Sequence, residues 1–512
     1  MKKLLLILFL PLIVNAEYYD IFLKNPRDLN KDLIAYTQAL STKETQSELL
    51  KLEILKSMFL APFGYPEFEG VEGPILIRFF AEGYNKVLVF GIRASEDSHI
   101  AHLANMDKAS RTNTPLQDFN FVRVDDFYFF SNSNFEREQE LTNQACQMHR
   151  VFEKYYDPVV HYDTDIHIMF DSPYLFEEAV GPSYPDIFNE KFEIELGKIF
   201  AQMLPFLNFD INFSSEGLGF SFKFAAEKGT KLYEMLSCKM PTENTFEYAK
   251  YIDAESSFIT YANYNNDTFK NAVIKTFSGL GDLLFGENKF KDIVEFTFLN
   301  SEKISSFKTD AIDDYTEDKT LELIRYDSSL KDLEKSLMKL PCIEVNLGNI
   351  FASDEDKITV HQNYEFKNIN GIEVLVENIT VDMKHAEDNG DICNVDSLTD
   401  IFLETFGKYK NSLYALCNSI LIRSDDEDLL LKTYQNILNQ KFTENQIRPD
   451  VNSHITFLMN ISKVLNRENE NAMLSCNISF KDGEFTLECF LPTKDSKFLL
   501  NYILELTKSN GQ

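Results

Sequence analysis

Two stretches of the chain carry the same pattern of apolar and polar positions. Over residues 207–236, Phe209, Ile211 and Phe213 alternate with polar residues, and Leu218, Phe220, Phe222 and Phe224 alternate on the way back. Period-two alternation marks a strand with one buried face. Pairing Phe213 with Leu218 leaves residues 214–217 as the turn. A polar loop then leads to a helix with Leu232, Met235 and Leu236 on one stripe. Residues 474–506 repeat the design. There Asp482-Gly483 predicts a type I′ hairpin, which needs positive φ at both central residues. This turn sets Phe480 opposite Phe485, Ile478 opposite Leu487, Cys476 opposite Cys489 and Leu474 opposite Leu491. The other face carries Lys481/Glu484, Ser479/Thr486 and Asn477/Glu488. A slip of one residue would mix the two faces, so the pattern fixes the register. A helix bearing Phe498, Leu499, Tyr502, Ile503 and Leu506 follows.

The same reading places helices over 29–40 and 48–60, with Ser41 and Glu44 as a capping box between them. A hairpin over 75–80 and 86–93 turns around Glu82-Gly83, and Ser95 caps a helix running to Met106. From there two series march in parallel. The hairpin 119–130, turning at Asp125-Asp126, answers to 364–376, turning at Asn370-Gly371. Helix 135–153 answers to 397–408, and strand 159–170 to 412–422. A short helix after Pro173 answers to 425–439, where Ser424 and Glu427 form a capping box. Helix 185–203 answers to 451–465, and the paired hairpins close each series. Residues 246–341 have no clean partner; they hold a strand 257–264, helices 267–285 and 320–338, and an acidic loop near 310–318. The expected fold is α+β: two tandem, duplicated domains of antiparallel hairpins and helices. The first spans 17–240 and the second 241–512, with 241–341 a partly unmatched insertion.

Length agrees with more than one core, because 512 residues exceed what one compact domain holds. Residues 1–16, MKKLLLILFLPLIVNA, place two lysines before an eleven-residue apolar run and end on Ala16. That is the pattern of a secretory signal peptide, and the run is short for a membrane span. No later run is long enough to cross a membrane, so no transmembrane segment is expected after cleavage. The expected location is secreted or periplasmic. Cleavage leaves 48 basic residues against 81 acidic ones, a formal charge of −33. Such a surface repels nucleic acid and anionic lipid. Seven cysteines in a chain this long do not make a disulfide framework. Cys476 and Cys489 are the exception. They fall at a non-hydrogen-bonded pair of their hairpin, close enough for a disulfide, with two reduced buried thiols as the alternative.

The candidate chemistry is sparse. His161, Asp163, Asp165 and His167 share one face of the strand in VVHYDTDIHIMF, and imidazoles with carboxylates suit zinc or another divalent cation. Residues two apart on a strand point outward in parallel, however, and a solvated strand face explains the same spacing. His99 and His102 lie three apart on a helix near Asp97, without a third ligand. Asp388-Asn389-Gly390-Asp391 lacks the ligand spacing of a calcium loop. Gly279-Leu280-Gly281 lies inside a helical pattern, where no dinucleotide motif belongs. There is no phosphate-binding GxxxxGK, no GxSxG and no CxxC. Sequons stand at Asn212, Asn266, Asn378, Asn460 and Asn477. The 45 Phe and 23 Tyr residues also fit an aromatic-lined pocket for an apolar ligand. The expectation is a binding or scaffold protein without catalysis or cofactor, whose partner is another protein, a surface polymer or an apolar ligand. The rival is a metal-assisted hydrolase using the His161, Asp163, Asp165 and His167 face.

Overall fold

A computed structural model describes residues 18–41, 68–82, 85–106, 119–131, 138–155, 164–171, 189–238, 246–252, 256–263, 267–286, 289–297, 302–308, 319–339, 342–346, 357–384, 411–442, 453–464 and 472–510, with a few single positions between them. The signal-like segment, His161, Asp163, the acidic loop, the helix 397–408, the helix after Pro173 and the Asp388 turn lie outside the described residues, as does most of the helix 48–60.

In chain order the elements begin β1 (Tyr18–Leu23), α1 (Pro26–Leu40), β2 (Val71–Glu82), β3 (Asn85–Ala94), α2 (His99–Asn105), β4 (Asn120–Val124), β5 (Phe127–Ser131) and α3 (Glu138–Tyr155). Next come β6 (Ile166–Asp171), α4 (Glu190–Phe200), β7 (Met203–Phe213), β8 (Gly217–Ala226) and α5 (Lys231–Leu236). After a 3-10 turn at Phe246–Tyr251 follow β9 (Phe258–Asn263), α6 (Asp267–Phe285), α7 (Lys289–Thr297), β10 (Glu302–Lys308), β11 (Lys319–Arg325) and α8 (Leu330–Leu337). The chain continues with β12 (Cys342–Asn346), β13 (Lys357–Ile369), β14 (Ile372–Lys384), β15 (Asn411–Cys417), β16 (Ile420–Ser424) and α9 (Glu427–Leu438). It ends with β17 (Ile455–Asn460), α10 (Ile461–Val464), β18 (Met473–Lys481), β19 (Glu484–Pro492) and α11 (Thr493–Asn510). The fold is α+β with large antiparallel sheets, as the alternation predicted. By contact it divides into two compact units, one of Met1–Leu175, Pro205–Phe224 and Glu488–Gln512, the other of Phe176–Leu204 and Ala225–Leu487.

In the first unit the strands run β4-β5-β3-β2-β1-β6-β7, every pair antiparallel. Both faces of this sheet are buried. Ile75, Ile77, Ile92, Tyr128 and Phe130 pack with Leu29 of α1 and with Ile100, Ala101 and Leu103 of α2. Phe22, Leu76, Val89, Phe127 and Phe129 pack on the opposite face with Leu141, Ala145 and Met148 of α3. Double-sided burial explains why β2 reads as a nearly continuous apolar run, Ile75 to Phe80, rather than an alternation. The α2 cap is Ser98, whose Oγ accepts from Ala101 N; Ser95 instead donates to the Gly70 carbonyl.

In the second unit the order is β12-β13-β14-β15-β16-β11-β10-β9-β17-β18, again antiparallel throughout. One core joins Tyr248, Ile252, Tyr261, Leu323, Val374 and Ile422 to Leu430 and Ile437 of α9. Another joins Tyr414 and Leu421 to Leu330, Leu333 and Leu337 of α8. The Asn370-Gly371 hairpin has the expected turn, with φ of 52° and 85°, between strands of thirteen residues each.

Three expected elements are different here. The helix 320–338 is strand β11, then α8 capped by Ser329, because Leu321 and Leu323 alternate into the sheet before the cap restarts the chain. The helix 451–465 is strand β17 followed by one helical turn; pairing to β9 on one edge and β18 on the other overrides its helical spacing. The strand 412–422 is a hairpin, β15 and β16, turning at Asn418 and Ser419 with φ of 51° and 61°. The α9 cap is Asp426, whose Oδ1 accepts from Leu429 N at 2.7 Å, while Ser424 Oγ donates to Thr320 O.

Candidate functional site

The first unit concentrates buried polar groups on the sheet face that packs against α3. Cross-strand register puts them in rows: Asp20 on β1 faces Arg78 on β2, Phe22 faces His167 on β6, and His167 faces Asp210 on β7. Arg78 and Asp20 form a two-pronged ion pair, Nε to Oδ1 at 2.7 Å and Nη2 to Oδ2 at 2.8 Å. The remaining amine, Nη1, donates to Gln144 Oε1 and Gln147 Oε1 on α3.

Beside this pair, His167 Nδ1 donates to Asp210 Oδ1 at 2.5 Å, and the imidazole stacks on Phe22. The second carboxylate oxygen of Asp210 accepts from Ser221 Oγ at 3.1 Å and lies 3.3 Å from Lys223 Nζ. His167 is 1% exposed and Asp210 2%. The alternation of β7 and β8 predicts that Phe209, Ile211, Phe220 and Phe222 face inward. Yet it is Asp210 and Ser221, on the face read as polar, that are buried while those four are only half-buried. An aspartate in mid-strand between apolar neighbours is the one signal that could have found this cluster.

Asp165 sits two residues before His167. Its Oδ2 accepts from Phe213 N at 2.6 Å, and its own N–H donates to Asn212 Oδ1. Lys24 Nζ lies 3.5 Å from Asp165 Oδ1 and 2.9 Å from Asp32. Burial raises the Asp165 carboxyl to about 6, a push that the Phe213 N–H and Lys24 only partly counter. The solvated strand face expected for Asp165 and His167 is therefore not what the structure has; both are buried and both hold the sheet together. His161 and Asp163 lie outside the described residues.

The order of His167, Asp210 and Ser221 differs from that of a catalytic triad. In a Ser–His–Asp triad the imidazole stands between serine and carboxylate so that it can take the serine proton. Here the carboxylate stands in the middle, and Ser221 donates its proton to Asp210. No group of three or more His, Cys, Asp or Glu side chains poised for a metal occurs among the described residues. His99 and His102 are exposed on α2. Gly279 to Gly281 lie within α6, as the helical pattern predicted. Cys476 and Cys489 are buried and each is disulfide-bonded, whereas Cys146, Cys238, Cys342 and Cys417 are free. No helix among the described residues is long and apolar enough to cross a membrane. Comparison with protein-family models, with characterised proteins and with solved structures found no match.

Proposed function

We infer that this chain is a secreted or periplasmic binding or scaffold protein without catalysis, built from two copies of one antiparallel α+β fold. The duplication is supported by strand pairing. Matching β1, β2, β3, β4, β5, β6 and β7 with β9, β10, β11, β15, β16, β17 and β18 carries every pair of the first series onto an antiparallel pair of the second. The helices after β1, β3 and β5 match those after β9, β11 and β16. This correspondence differs from the one read along the sequence: residues 246–341 now have partners, and the unmatched piece becomes β12 to β14.

The observation that carries the non-catalytic reading is what stands at the places aligned with these groups. Ile166 pairs with Ile211 and Ile455 with Ile478, which aligns His167 with Thr456 and Asp210 with Asn477. Thr456 Oγ1 donates to Asn477 Oδ1 at 3.0 Å, the same cross-strand bond made by neutral groups. Asp165 aligns with His454, and Phe480 N donates to His454 Nδ1 at 3.1 Å as Phe213 N does to Asp165. Ser131 aligns with Ser424, and each donates to the aligned strand carbonyl, Leu88 O and Thr320 O. The bonds recur while the residue types change, which favours structural duty over chemistry.

Two measurements test this. Elemental analysis of the purified protein is expected to find no stoichiometric metal. Asp210→Asn is expected to keep the fold, because Asn477 already serves at the aligned place. One tightly held zinc per chain that is lost in Asp210→Asn or His167→Gln would instead support the metal-assisted hydrolase.

A further inference from the structure

The second unit contains a cavity of about 450 Å³ between the C-terminal end of α4, the loop before α5 and the middle of α6. This is within the size range of small-molecule sites. Its charged lining is Lys198, Lys231, Lys275 and Glu195, in a chain of net charge −31. Glu195 is already committed: Lys198 Nζ donates to its Oε1, and its other oxygen lies so close to Gly279 that any side chain there would displace it. Lys231 forms no ion pair among the described residues. Lys275 has only Glu234 at 3.8 Å, and both of those groups are mostly exposed. Two ammonium groups are thus left to the cavity.

An uncharged group also points to a ligand. Thr276 is 8% exposed and its Oγ1 has no hydrogen-bond partner. A threonine inside a helix ordinarily donates to the carbonyl of the preceding turn, and leaving a buried hydroxyl unpaired is costly. The walls are fixed in advance. Gln202 donates to Lys198 O and accepts from Leu232 N, which ties the end of α4 to the start of α5. Thr230 caps α5 through Tyr233 N and donates to Glu227 O.

We propose that this cavity binds a phosphorylated small molecule, with Lys231 and Lys275 pairing the phosphate and Thr276 Oγ1 donating to the ligand. Ammonium groups and hydroxyls match phosphate oxygens, and the volume exceeds what an inorganic ion fills, leaving room for an organic body. The proposal rests on the binding-protein reading and names a ligand class for it.

The test is isothermal titration of the full chain with glucose 6-phosphate, inorganic phosphate and glucose. Saturable binding of glucose 6-phosphate is expected, weaker binding of phosphate, and none of glucose, with affinity falling as sodium chloride is raised. Lys231→Gln and Lys275→Gln sit at exposed positions and are expected to weaken binding about tenfold each, as loss of a charge-assisted bond implies. Thr276→Val is expected to weaken binding without lowering the thermal stability of the free protein, since its hydroxyl makes no bond to lose. Absence of heat with both phosphates at millimolar concentration overturns the proposal, as does binding indifferent to the two lysines. Either result leaves the metal and Asp210→Asn measurements untouched, so failure here is distinct from failure of the non-catalytic reading.

Discussion

The pair of Arg78 and Asp20 offers the sharpest test of how the first unit holds together. Arg78 is fully buried and Asp20 is 2% exposed. The guanidinium meets the carboxylate edge-on through two short bonds and uses Nη1 on Gln144 and Gln147. Replacing Asp20 by leucine leaves the buried guanidinium without its carboxylate partner. Breaking a buried pair from one side costs about 3–5 kcal/mol. Replacing both residues by apolar side chains of similar size, Asp20→Leu with Arg78→Met, removes the charge and its partner together. Such exchanges are often neutral, because two desolvation penalties vanish with the attraction. The double variant is therefore expected to recover most of the loss, giving a coupling of about 3 kcal/mol or more between the sites. The chain has two compact units and no tryptophan, so a single unfolding curve is a poor reporter. Hydrogen exchange in urea, followed on peptides covering β1 and β2, reads the first unit directly. If Asp20→Leu costs less than about 1 kcal/mol, or the double variant is as unstable as the summed Asp20→Leu and Arg78→Met singles, the pair does not couple the two sites.

Two further outcomes are expected. Gly91→Ala would put a methyl group 2.4 Å from the Phe129 ring, across the strand pair in a closed core, and overpacking of this kind lowers stability by about 1–3 kcal/mol in thermal denaturation. Peptide mapping without reductant is expected to release the Cys476 and Cys489 peptides as one linked species, and recovery of both as free thiols would contradict the bonded state.

Much of the fold is legible because local chemistry and tertiary demand agree. Asn370-Gly371 and Asp482-Gly483 each adopt positive φ at both centres, as their side chains allow. The Phe480 and Phe485 rings lie 5.8 Å apart, as the counted register requires. The failures have a common cause. Residues 455–460 are spaced like a helix face and become a strand because β9 and β18 offer it hydrogen bonds on both edges. Asn418-Ser419 turns the chain with a serine in the left-handed region, which composition does not announce. The buried cluster is missed for a related reason. Asp210, Ser221 and Lys223 belong to the polar half of an alternating pattern, and alternation assumes that half meets water. In a sheet buried on both faces the assumption fails, and the polar residues pair with one another across strands.

Asp165 and His454 set opposite responses to acid in the two units. On the proposed correspondence they hold the same place, each accepting the amide of a phenylalanine on the next strand. One is an acid and the other a base, so the two units should answer acidification in opposite directions. Burial raises the Asp165 carboxyl to about 6 from 3.8, so between those values the folded unit keeps a proton that the unfolded chain releases. Stability from this group is greatest below the unfolded value and falls as pH rises to about 6. His454 is the reverse. Burial lowers its pKa below 6.5, outweighing the bond between Nε2 and the Cys238 carbonyl. Its Nδ1 must stay unprotonated to accept from Phe480, so the unfolded chain gains the proton first as pH falls. Stability from His454 is complete above 6.5 and declines below it. Hydrogen exchange from pH 7 to pH 5, corrected for the intrinsic rate, should show protection rising at Phe213 and falling at Phe480. Asp165→Asn should flatten the first response and leave the second. Parallel loss of protection at both amides would mean that Asp165 does not carry a raised pKa, and that the Lys24 pair dominates its environment.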